Sequence, residues 1–212
     1  MLKKVIFSII LVVNSLVGIH WMPRDPSETR KRILEAANQL FYSDGIRAVS
    51  VDLIAEKAGV TKKTLYYHFQ SKDNLAAEYL SSRDQPNLLA YQRWFTETNG
   101  DIAEKVQSLF RGVAKSASHP KWRGCGFLRT AGELANLPGH PAIKAGAAHK
   151  KNAESWLSLH LAGNGCRDAD LTARQVMLLM DGAFATMMVH HDPSYIEAAG
   201  EAAAQLVRMN LS

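Results

Sequence analysis

The run from Lys62 to His68, KKTLYYH, interleaves hydrogen-bond donors with aromatic rings and contains no acid. On a helix turning about 100° per residue, Leu65 and Phe69 point to one side while Lys63 and Tyr67 point to the other. Lys62 with Tyr66, and Thr64 with His68, fill the flanks. Lysines, a hydroxyl, phenols and an imidazole, displayed together without a carboxylate, suit phosphate oxygens and base edges better than plain solvent. A bland role stands beside each: Tyr66 as half-buried packing, His68 as a cap or a ring stacked on its neighbour, Lys62 and Lys63 as a solvated pair. Asp52 lies near the same edge, would repel a phosphate, and is expected to point away.

Such an arc needs a rigid mount, and the flanking sequence supplies one. Ser50 is an N-cap for a short helix whose Val51, Ile54, Ala55 and Ala58 turn inward, and Gly59 provides the positive φ of a tight inter-helix turn. Val60 plugs the corner and Thr61 caps the helix Lys62 to Phe69. Upstream, Asp25, Pro26 and Glu28 form a helix opening with an N-cap acceptor, proline at the first position and an acid at N3 reaching back. That helix runs to about Ser43, with Ile33, Ala36, Ala37, Leu40 and Phe41 inward, Arg30, Lys31, Arg32 and Glu35 mainly outward, and Gly45 as its stop.

Downstream, Ser71 caps a fourth helix with Leu75, Tyr79 and Leu80 packed back on the first three. Pro86 removes an intrahelical bond and clashes with the preceding turn, so a kink or restart is expected near Gln85. Asp101 and Glu104 open a helix carrying Ile102, Val106, Leu109, Phe110 and Val113, closed by His119 and Pro120. A short helix over Gly124 to Leu137, another from Pro141 to about Leu161, one from Leu171 to about His190 and a last one from Pro193, capped by Asp192, complete about nine. Gly182, Ala183 and Ala185 on one, and Ala198, Ala199, Ala202 and Ala203 on the next, allow close helix approach.

The chain is thus all-α. Its 212 residues and 47% apolar content fill a sizeable core and argue against disorder. A net charge of +5 suits a polyanionic partner, though placement carries more weight than the sum. Cys125 and Cys166 signal neither a zinc site nor a disulfide framework; Cys125 reads as a small buried thiol, with a redox role as the rarer alternative. His190, His191 and Asp192 lack a third ligand at metal spacing, and no metal is expected. No nucleophile elbow, phosphate-cradling glycine loop or carboxylate pair points to an enzyme, and no cofactor is called for.

Residues 1–21 are different in kind. Lys3 and Lys4 precede an apolar run, Val5 to Val17, that has the layout of a secretory signal or short anchor. It is short for a membrane span, and no clear cleavage site follows. A start at Met22 is favoured, which gives a cytoplasmic protein with no membrane partner. A membrane-tethered or exported helical binding protein is the alternative.

From Met22 to about Leu80, through LFYSDG and VSVDLIAEKAGVTKKTLYYHFQSKDNL, the chain resembles the N-terminal domain of the TetR family of transcriptional regulators. The resemblance implies an N-terminal three-helix helix-turn-helix DNA-binding domain, 22–72 and continuing into the fourth helix, and a C-terminal ligand-binding and dimerisation domain, 73–212. It implies DNA contacts from Lys62, Lys63, Thr64, Tyr66, Tyr67 and His68, with Lys72 reaching a phosphate and Ser50 opening a helix whose N–H groups favour an anion. It further implies a homodimer through the last two helices, a double-stranded, pseudo-palindromic DNA operator, and release by a small-molecule effector, as in a repressor. The effector would enter the body formed by the fourth to eighth helices. Trp94, Phe95, Phe110, Phe127 and Trp156 are its candidate lining, although most are expected to be ordinary core.

Overall fold

The computed structural model describes residues 25–211, so the expectations for residues 1–21 and for a start at Met22 fall outside it. Nine helices occupy the described residues: α1 (Pro26–Asp44), α2 (Val51–Ala58), α3 (Lys62–His68), α4 (Lys72–Glu97), α5 (Ile102–Ala117), α6 (Gly126–Glu133), α7 (Pro141–Ala162), α8 (Ala169–His190) and α9 (Ser194–Asn210). None is long and apolar enough to cross a membrane.

Local chemistry sets most of these boundaries. Asp25 Oδ1 accepts the Ser27 N–H at the start of α1, and Gly45 ends that helix with φ 88°. Asp101 and Glu104 close a reciprocal capping box on α5, each side chain accepting the other's backbone N–H. Asp168 caps α8, two residues before the expected start, and Asp192 Oδ1 accepts the Ser194 N–H ahead of α9. The expected helix over Gly124 to Leu137 contracts to α6, because Cys125 offers no capping side-chain bond and the chain turns after Glu133.

Pro86 does not restart α4, which runs unbroken through it for 26 residues. The proline is exposed, and the helix continues through it despite the bond it cannot donate and the crowding of the preceding turn. Arg30 and Arg32, expected to face mainly outward, are half-exposed and also tie helices together. Arg30 pairs with Glu78 of α4 and lies 4.7 Å over the Phe69 ring, while Arg32 Nη1 donates to Ala58 O at 3.2 Å.

Two cores result. One gathers Ile33, Phe41, Ile54, Leu65, Phe69 and Leu80 from α1 to α4, joined by Phe127, Leu134 and Ala142 from the C-terminal part of the chain. The other joins Tyr91 and Phe95 of α4 to α5, α7, α8 and α9 around Phe110, Leu157 and Met180. Cys125 packs against both, half-buried between them rather than sunk in either. In the second core α9 lies tight on α5: a Cβ at Gly200 would sit 2.7 Å from that of Phe110. The histidines near the end of α8 have structural uses. His191 takes the left-handed C-cap conformation at φ 54°, and His190 stacks on Tyr195 with ring centroids 4.7 Å apart.

Candidate nucleic-acid interface

Ser50 Oγ accepts the Leu53 N–H at 3.1 Å and starts α2; Gly59 closes it in the left-handed conformation, φ 63°. Its N–H still reaches the last carbonyls of α2, and Val60 then packs into the first core. Thr61 Oγ1 accepts the Thr64 N–H at 3.1 Å, so α3 starts in a fixed register only two residues beyond the turn. Leu65 and Phe69 anchor it from beneath, at 0% and 2% exposure. Burying Leu65 alone contributes roughly 1.5–3 kcal/mol, a large share of what can hold so short a helix.

This anchoring turns the opposite face outward. Tyr67 is 81% exposed and Lys63 is exposed beside it, as the angular reading requires. The flanks are more engaged. Thr64 Oγ1 lies 2.9 Å from Thr61 Oγ1, and half-buried His68 meets Tyr67 edge-on at 5.1 Å. Tyr66 is 44% exposed.

Asp52 does not point away. Its Oδ2 accepts from Lys62 Nζ at 3.0 Å, and this hydrogen bond, reinforced by the carboxylate's charge, raises the lysine's pKa. This acid beside the arc is therefore held by one of the arc's own cations. Lys72, in the first turn of α4, is half-buried, with Nζ 3.4 Å from Arg47 O; desolvation lowers its pKa.

Arg47 is a residue that sequence reasoning missed. It lies in the turn before Ser50, and α6 with its following loop grips it: Glu133 Oε2 accepts the Arg47 N–H at 3.0 Å and Asn136 Oδ1 accepts from Arg47 Nη2 at 3.0 Å. Tyr42, near the end of α1, is held similarly by Arg123 N at 2.9 Å on its hydroxyl and by Arg129 Nη1 at 2.6 Å on its carbonyl. These partners lie more than eighty residues away, so no local pattern announces them.

Behind this mount lies a cavity of about 540 Å³. Phe127 and Trp94 line it, but Phe95, Phe110 and Trp156 do not. Phe95 and Trp156 pack on each other at 5.3 Å and on His160, while Phe110 is fully buried under α9. Nor is the cavity confined to the body of α4 to α8, because Asn38, Gln39 and Tyr42 of α1 form part of its wall. Asn38 Oδ1 is buried without a partner. Cys125 and His149 line it as well. His149, 3% exposed, stacks on Phe127 at 3.8 Å and has Nδ1 2.7 Å from Asp84 Oδ1. Burial lowers its pKa despite that carboxylate.

A capped α2, a left-handed glycine and a short α3 with an outward donor face define a helix-turn-helix protein, here joined to a helical body with its own cavity. A family model described as bacterial regulatory proteins, tetR family, matches residues 33–79. The HTH-type transcriptional regulator SrpR of Pseudomonas putida is 40% identical over 62 residues, 29% of each chain, so the match spans under a third of that relative. The regulator AcrR of Shigella flexneri is 27% identical over 173 residues, 78% of this chain and 79% of that one. The solved structure of SCO4454, a TetR-family transcriptional regulator from Streptomyces coelicolor, superposes with a TM-score of 0.75 at 29% identity, covering 88% of this chain and 97% of the other. Residues 33–79 thus carry the tetR-family pattern, and the chain as a whole shares the fold of a TetR-family regulator.

Proposed function

We propose that the protein is a cytoplasmic, DNA-binding transcriptional repressor that grips a pseudo-palindromic operator as a homodimer and lets go when a small molecule fills its cavity. Residues 22–72, continuing into α4, form the reading head, and 73–212 form the sensing and dimerising body. The observation that carries this reading is the acid-free outer face of α3, with Lys63 and 81%-exposed Tyr67 standing clear of the fold. Lys62, Thr64, Tyr66 and His68 flank the bases, and Lys72 and Ser50 meet the backbone at the corner held by Arg47. Likeness to named regulators, with the repressor KstR2 of Mycolicibacterium smegmatis among them at 27% identity, supports the same reading.

The exposed apolar residues of α8 and α9, Leu178, Val189, Tyr195 and Met209, support the homodimer. Gly182, Ala185, Ala198 and Ala202 are on that outer surface, whereas Ala183 and Ala203 turn into the chain's own core and take no part. Two heads related by a two-fold axis would meet half-sites about 34–36 Å apart, or a multiple of that. An effector preferring the state with the wrong head spacing weakens binding through a coupling of about 1–3 kcal/mol.

Selecting fragments of the host genome on the pure protein supplies the operator for the test. The double variant Lys63→Ala, Tyr67→Ala is expected to lose specific binding in a gel-shift titration while keeping its helical circular dichroism and its dimer. Operator binding at undiminished affinity would refute the assignment of α3 as the reading helix.

A further inference from the structure

The cavity's wall chemistry narrows what it takes. Tyr79, Arg83, Asn87 and Tyr91 all line it and follow one another at four-residue steps, so they form one stripe of α4, each about 6 Å beyond the last. Tyr79 and Tyr91 are 3% and 9% exposed, yet among the described residues neither phenolic hydroxyl has a hydrogen-bond partner. Only Asn38 Oδ1 is a sealed-in polar atom without a partner among the described residues, so the two hydroxyls keep surface at the cavity and are free to donate into it. Burial pushes the Tyr79 phenol up to about 12 and raises that of Tyr91 as well, which keeps both protonated. Arg83 sits close enough to Tyr79 to oppose that rise.

Charge points the same way. Arg83 and Arg93 belong to the wall, and no aspartate or glutamate does. Asp84 is occupied by His149 and by Asn152 Nδ2 at 2.9 Å, and Asp181 by Lys150. Rings make up much of the rest, Trp94, Trp122, Phe127 and Phe184 joining the tyrosines, with Leu80, Ala90 and Val113 as the aliphatic part. A volume of about 540 Å³ lies within the range that small-ligand sites occupy.

We propose that the cavity binds an aromatic carboxylate, its carboxylate at the Tyr79 and Arg83 end of the stripe and its fused rings running toward Tyr91 and Trp94. This rests on the cavity being the effector site. Guanidinium and phenol donors converge on the anion, and the aromatic wall takes the ring faces.

Trp94 and Trp122 report occupancy directly, so the full chain is titrated with 2-naphthoate, its methyl ester and decanoate while tryptophan fluorescence is followed. Naphthoate is expected to bind at least tenfold more tightly than the ester and than decanoate, and the double variant Arg83→Met, Arg93→Met is expected to erase its advantage over the ester. An ester that binds as well as the acid overturns the anionic class while leaving the cavity as a ligand site. Decanoate matching naphthoate overturns the aromatic class, an advantage that survives in the variant overturns the arginine assignment, and no binding by any probe overturns the proposal. A gel-shift on the selected operator separates the two levels: saturating naphthoate that binds but releases no DNA removes the effector reading and leaves the ligand class standing.

Discussion

Asp52 is the residue whose placement most changes the reading surface. Its carboxylate pairs with Lys62 in the free protein and must either release that lysine or stay beside it when a phosphate arrives. Asp52→Asn is expected to tighten binding to arbitrary duplexes by several-fold and to steepen the slope of log affinity against log salt by about one, as an additional cation becomes free to displace counterions. Specificity for the operator over random DNA should drop in parallel. Equal slopes for the variant and the parent would show that Lys62 makes no phosphate contact.

His149 gives the second test at this scale. Its folded pKa is lowered by burial, so between that value and the ordinary histidine value near 6.5 the unfolded chain binds more protons than the folded one. Stability therefore falls as pH drops through this window and is fully restored above it. Thermal melts at pH 7.5 and 5.5 should show a smaller acid-induced loss for His149→Gln than for the parent, and a ring titrating above 6.5 by NMR would contradict the sign.

Among the elements, the α2 to α3 turn depends on Gly59 for its conformation and not for space. A Cβ there would meet nothing nearer than Arg32 Nη1 at 3.8 Å, yet φ is 63°. Gly59→Ala is accordingly expected to cost about 1–2 kcal/mol in denaturant unfolding, the penalty of holding an L-residue in the left-handed region. A neutral result would mean that the turn relaxes to another shape. These elements were the legible ones: caps at Ser50, Thr61, Ser71 and Asp101, and apolar spacing through Leu65 and Phe69, are local signals written within a few residues. At Pro86 the expected restart does not occur, because what holds α4 helical past the missing N–H is its packing on α5 and α7, which no local signal states. Asp52 misled because its partner follows ten residues later, beyond the intervening turn. The cavity was illegible for the same kind of reason. Aromatic content alone did not separate Phe127 and Trp94, on its wall, from Phe95, Phe110 and Trp156, which fill the second core.

At the scale of the whole molecule, a two-headed reader requires the face of α8 and α9 to be covered. Leu178, 65% exposed, borders a groove with Gly182, Thr186 and Tyr195. Leu178→Glu is expected to give a monomer in light scattering at micromolar concentration and, with only one half-site engaged at a time, to weaken operator binding at least a hundredfold. A dimer that persists in this variant would place the interface elsewhere.

The grip of α6 and its flanking loops on Tyr42 and Arg47 bears on how such a protein could be rebuilt. Exchanging residues 26–70 for the head of another regulator would look like a clean transplant along the sequence, yet it would sever the bonds from Arg123 and Arg129 to Tyr42 and from Glu133 and Asn136 to Arg47. It would also remove Asn38, Gln39 and Tyr42 from the cavity wall. A working chimera has to carry residues 123–136 across with the head, which makes the transplantable unit discontinuous in the chain.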